Sequence, residues 1–141
     1  MKKLVALSMC LAILLSITSI SAAAFKTENQ AAPISPRYEE IVQFNISLNI
    51  STSGKASCYA DVNTTREFSC LLTVELQKQV SNGWETKKTW TATDDGTGLT
   101  YVYEPWYVTH GNYQLKVTAE ITDASGKLIE KVVDYSSTVT Y

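Results

Sequence analysis

The feature that most constrains this chain is a two-residue rhythm of apolar and polar side chains, repeated in one run after another. In QFNISLNIS, Phe44, Ile46, Leu48 and Ile50 fall on one side, and Gln43, Asn45, Ser47, Asn49 and Ser51 on the other. That period belongs to a half-buried strand in an antiparallel sheet with one wet face. The next run, KASCYADVN, aligns Ala56, Cys58, Ala60 and Val62. FSCLLTVELQKQV aligns Cys70, Leu72, Val74 and Leu76. Asn82-Gly83 then predicts a type I′ hairpin turn, because both residues accept positive φ. The strand after it is expected to carry Trp84, Thr86, Lys88 and Trp90 on one face. NYQLKVTAEITD aligns Tyr113, Leu115, Val117, Ala119 and Ile121. The final run, LIEKVVDYSSTVTY, is expected to group Ile129, Val133, Tyr135, Val139 and Tyr141.

No long helical period interrupts this series, and turn signals recur every ten or so residues. The expectation is an all-β domain, an immunoglobulin-like antiparallel β-sandwich of about seven strands. A small barrel is the alternative. Roughly 100 residues suffice for one such core.

The ends of the chain divide it further. Lys2 and Lys3 precede an apolar stretch from Leu4 to Ile20, and small residues at Ala22 and Ala24 suit cleavage before Phe25. Residues 1–24 therefore read as a signal peptide, residues 25–38 as a flexible lead-in with two prolines, and residues 39–141 as the β-sandwich. Cys10 lies within the apolar stretch after Met9 and lacks the small neighbours of a lipid-attachment site. The expected location is secreted and extracellular, with no stable membrane insertion after cleavage. The last run stops at Tyr141, and covalent display through a wall-sorting tail is not expected.

Cleavage takes Lys2 and Lys3 from the 12 Lys+Arg and nothing from the 14 Asp+Glu, leaving a net charge of −4. The remaining basic residues look scattered, so the positive stripe that nucleic acid requires is not expected. Cys58 and Cys70 survive cleavage. An even pair in a small exported domain predicts a disulfide, worth about 3 kcal/mol by chain entropy.

The stretch YVYEPWYVTHGNY, Tyr101–Tyr113, concentrates aromatic residues and the single histidine. Tyr113, placed after Gly111 at the start of an alternating run, is expected to return its hydroxyl to a nearby backbone group. Pro105 marks Tyr101–Tyr107 as an edge strand or a crossing between sheets. Trp90 is expected in the core. Trp84, Trp106 and Tyr107 are the candidate surface contacts, because such rings supply rigid faces that are apolar with a polar tip.

Catalysis is not expected. His110 has no second histidine, and no serine sits in a nucleophile-elbow context. Asp94-Asp95 in DDGTG lacks the alternating acids of a calcium loop, and no cofactor or metal is expected. Asn45, Asn49 and Asn63 stand in N-x-S/T triplets and read as outward-facing residues.

Several segments together resemble a group of small secreted proteins of unknown function from Gram-positive bacteria. They are ISPRY (Ile34–Tyr38), GKASCYADV (Gly54–Val62), LQK (Leu76–Lys78), Trp84, Thr89-Trp90, GNYQLKV and the terminal YSSTVTY. The resemblance implies a compact extracellular β domain and brings no activity. Gln114 follows Tyr113 where the group usually has a basic residue. The expected function is a non-catalytic extracellular binding module, its partner an extracellular protein or cell-envelope component. A small exported antimicrobial factor or enzyme inhibitor is the alternative.

Overall fold

The computed structural model describes residues 38–65, 67–94 and 97–141. The expected signal peptide and all but the last residue of the expected lead-in lie outside them. The described residues form eight strands: β1 Ile41–Ile50, β2 Lys55–Thr64, β3 Ser69–Val80, β4 Gly83–Asp94, β5 Leu99–Tyr107, β6 Asn112–Thr122, β7 Leu128–Tyr135 and β8 Val139–Thr140. They make two antiparallel sheets, ordered β1-β2-β5 and β4-β3-β6-β7, with β8 paired to the start of β6. The sheets pack face to face as a β-sandwich.

The core follows the predicted alternation where a strand lies in the middle of its sheet. Ala56, Cys58, Ala60 and Val62 of β2 are fully buried, as are Cys70, Leu72, Val74 and Leu76 of β3. Leu115, Val117, Ala119 and Ile121 of β6 complete the set. Burial of this apolar surface is the main term holding the sheets together, at about 25 cal/mol per Å². The edge strand β1 lays Phe44, Ile46, Leu48 and Ile50 half-buried over it.

Three local expectations change. The hairpin between β3 and β4 forms, but Val80 pairs with Gly83, so Ser81 and Asn82 are its central residues. Among the described residues only glycines have positive φ, and Gly83 takes +129°. The turn is therefore not type I′, and Gly83 absorbs the unusual angle just after it. Second, the register shifts by one residue where Leu76 pairs with Lys88 but Gln77 pairs with Thr86. Lys87 is the extra residue of a bulge, and a bulge swaps the faces of everything beyond it. Trp90 and Lys88 point inward, whereas Trp84 and Thr86 point outward.

The third change is in β7. Its inward residues are Glu130, Val132 and Asp134, opposite Ile121, Ala119 and Val117. Val132 packs on the core, while Ile129, Val133 and Tyr135 are exposed. Glu130 is useful there because its carboxylate accepts the backbone N–H groups of Glu39 and Glu40, at 3.2 and 2.9 Å. That ties the start of β1 to the opposite sheet.

Candidate functional site

The site grows from β5, the edge strand that contains the aromatic run. Alternation sends Thr100 and Val102 inward and Tyr101, Tyr103, Pro105 and Tyr107 outward. The three tyrosines are 60%, 63% and 72% exposed. Tyr59 of β2 stands opposite Tyr103, edge-on, with ring centroids 6.4 Å apart. A hydrogen bond to Asp61 raises the Tyr59 phenol above its ordinary value, and desolvation and the Asp61 charge add to this. Asp61 also accepts both bonds from the Asn45 amide at 3.0 Å. The outer face of the three-stranded sheet is therefore a tyrosine row on a polar, braced floor.

Pro105 and Glu104 make this strand's free edge a poor template for another strand. Pro105 has no N–H to offer. Glu104 takes an inward position yet is exposed, an arrangement that discourages edge pairing. The face of β5, rather than its edge, carries the exposed rings.

At the end of the tyrosine row lies a cleft of about 310 Å³. Lys78 and Lys87 stand on one side, Trp106 through Thr109 on the other, and the buried Tyr113 forms part of its lining. Lys78 Nζ donates to Thr109 Oγ1 at 2.9 Å and lies 5.6 Å from the centre of the Tyr113 ring. Lys87 pairs with Glu85 at 2.6 Å. Lys88 Nζ sits 5.0 Å from the centre of the Trp106 ring. The basic residues expected to be scattered thus gather in part at one place. The hairpin brings Lys78 across from Glu85, and the bulge adds Lys87.

The loop beneath the cleft is held in place. Tyr113 Oη donates to the Thr109 carbonyl at 2.7 Å, as the sequence predicts. Gly111 and Tyr141 exchange two backbone bonds, at 2.8 and 2.9 Å. His110 stacks on Tyr141 with ring centroids 4.4 Å apart. The histidine is engaged with a ring, and among the described residues no three His, Cys, Asp or Glu side chains converge to hold a metal.

The three rings predicted as surface contacts do not come together. Trp106 is 39% exposed and packs edge-on against Trp90, with centroids 6.3 Å apart, so it seals the gap between β4 and β5. Tyr107 is on the outer face of one sheet. Trp84, 36% exposed, is on the outer face of the other, opposite Gln79. Tyr107 and Trp106 share the cleft; Trp84 does not. Sequence reasoning did not single out Tyr101 and Tyr103 with Tyr107, although their even spacing already placed all three on one face.

The disulfide expected between Cys58 and Cys70 is not formed, and both residues are buried free thiols. Each cysteine does face the core, but at a different height. Cys58 is opposite Glu104, whereas Cys70 lies beside Thr100. Four residues of strand separate those positions, about 13 Å, and a bridge needs Cα atoms within about 7 Å. Burial, with help from the Glu104 charge, pushes the Cys58 thiol up to about 12. Burial also raises Cys70, partly offset by the Thr100 hydroxyl. Such thiols are poor nucleophiles at neutral pH.

No protein-family model matches the chain, and no curated protein is similar to it at a significant level.

Proposed function

We propose that this protein is a secreted, non-catalytic binding module of immunoglobulin-like type, acting on a cell-envelope or other extracellular component through the outer face of β5. The observation that carries this reading is the row of Tyr101, Tyr103 and Tyr107, exposed together on one braced sheet face. Tyrosines in such a row contribute nothing to the core, and each offers a rigid ring at low entropic cost. Export is supported by the basic, apolar and small-residue succession of residues 1–24. The immunoglobulin-like type is supported by the strand order and by the Tyr113–Thr109 bond at the start of β6.

The test is retention of the purified domain on isolated cell envelope and on insoluble polysaccharides. The triple variant Tyr101→Ser, Tyr103→Ser, Tyr107→Ser should lose retention by tenfold or more, since an anchoring ring contributes on the order of 1 kcal/mol. Its melting temperature should stay within a few degrees of the parent. Equal retention of parent and variant would refute the reading.

A further inference from the structure

The tyrosine row and the lysine cleft share one residue, Tyr107, which is exposed on the sheet face and also lines the cleft. We infer that the cleft binds the carboxylate of a uronic-acid residue in a saccharide whose neighbouring rings lie along the tyrosine row. This rests on the binding-module reading and gives it a ligand class.

Charge complementarity is the first argument. The chain without residues 1–24 carries a net charge of −4, yet Lys78 and Lys87 line this cleft and Lys88 lies against its Trp106 wall. Lys87 is matched by Glu85. Lys78 is held by a neutral hydroxyl and a ring face, so its ammonium keeps donor capacity for an incoming acid. A local positive site within a negative domain suits a ligand with isolated acidic groups. A densely charged polyanion would be repelled by the rest of the surface.

Shape is the second argument. The cleft, about 310 Å³, is at the small end of ligand pockets, with room for a single sugar ring. Trp106 and Tyr107 present apolar ring surface to a pyranose, and Thr109 supplies a hydroxyl. The same charges could receive a peptide C-terminus. A peptide adding to β5, however, would meet Pro105 immediately before the cleft residue Trp106 and lose its backbone bond there. A saccharide needs no such bond.

Trp106 lines the cleft, so tryptophan fluorescence reads occupancy directly. The domain is titrated with a trisaccharide of two neutral sugars and one terminal glucuronic acid, with its methyl ester, and with a pentapeptide bearing a free C-terminus. The acid should bind at least tenfold tighter than the neutral ester at low salt, and the gap should shrink in 0.5 M NaCl. Lys78→Met keeps the stem over Tyr113 and should abolish the preference. Lys87→Gln, at a more open position, should reduce it severalfold and serves if Lys78→Met folds poorly. Tyr107→Ser should weaken acid and ester alike.

Equal binding of acid and ester overturns the carboxylate site while leaving a stacking module intact. Binding of the peptide in preference to both sugars overturns it in favour of C-terminal capture. No response to any of the three overturns the uronate assignment, and envelope retention then judges the module reading separately.

Discussion

The Tyr113 hydroxyl reaches back four residues to the Thr109 carbonyl at 2.7 Å, while its ring is 2% exposed beneath Lys78. One side chain thus joins the start of β6 to the loop that floors the cleft. Tyr113→Phe keeps the ring and deletes the bond. It should lower stability by about 1–2 kcal/mol, which is roughly 5–10 °C in melting temperature for a domain of this size. Thermal unfolding followed by near-UV circular dichroism measures it, and an unchanged midpoint would show that the bond is idle.

Asp94 holds the crossing between the two sheets. Its carboxylate accepts the Thr97 N–H at 2.9 Å, the Thr97 hydroxyl at 2.5 Å and the Gly98 N–H at 2.6 Å, and Gly98 in turn accepts from Thr64 N at 2.8 Å. Asp94 is nearly fully buried. Asp94→Ala should cost about 2–4 kcal/mol, since buried donors lose a charged acceptor. Asp94→Asn, which keeps one acceptor oxygen, should cost less. Urea titration of both variants ranks them, and the reverse order would contradict this account.

The thiols set a pH dependence. The Cys58 pKa is raised from the ordinary thiol value of 9.0 to about 12 in the folded protein. Its contribution is complete below pH 9 and is lost as pH climbs from 9 towards 12, because the unfolded chain ionises first. Stability should therefore fall across that alkaline window, and Cys58→Ala should flatten the slope. Ellman's reagent should leave both thiols unlabelled in the native domain and label both in denaturant. A reductant should not move the melting temperature.

Gly54 has a φ of +79°, and a Cβ placed there would stand 2.9 Å from both the Val108 carbonyl oxygen and the Tyr141 ring. Val108 N also donates to the Gly54 carbonyl at 2.8 Å, so the backbone cannot easily retreat. Gly54→Ala should destabilise by about 1–3 kcal/mol. Gly126 has φ +80° but nothing within 4 Å of its added Cβ. Gly126→Ala should be milder, and comparing the two by thermal unfolding separates collision from backbone strain.

The central strands are readable from sequence because both of their flanks are paired and one face must be dry. Every apolar residue aligned in β2, β3 and β6 is in the core. Edge strands obey weaker rules. In β7, Val132 and Val133 offer two possible inward phases, and the bonds from Glu39 and Glu40 to Glu130 reward the one that hides fewer apolar side chains. In β4, alternation alone cannot reveal that Lys87 is an inserted residue. The cysteines show a second limit: periodicity reports which way Cys58 and Cys70 face, not how far along the sandwich each sits. The cleft was hidden for the same reason, since Lys78 and Tyr107 belong to different sheets.

The two-residue link at Ser81-Asn82 also bears on how the molecule assembles. β3 meets β4 immediately, but Leu72 must find Ala119 and Ala60 must find Val102, each more than forty positions away. A hairpin closes in about 1–10 μs, whereas topologies dominated by distant pairings complete in milliseconds to seconds. The β3–β4 ribbon has the shortest link of the three hairpins and is expected to form early, with the distant pairings condensing afterwards. In stopped-flow refolding, truncating Trp90 to Ala should slow the forward reaction, while truncating Val132 should chiefly hasten the reverse one.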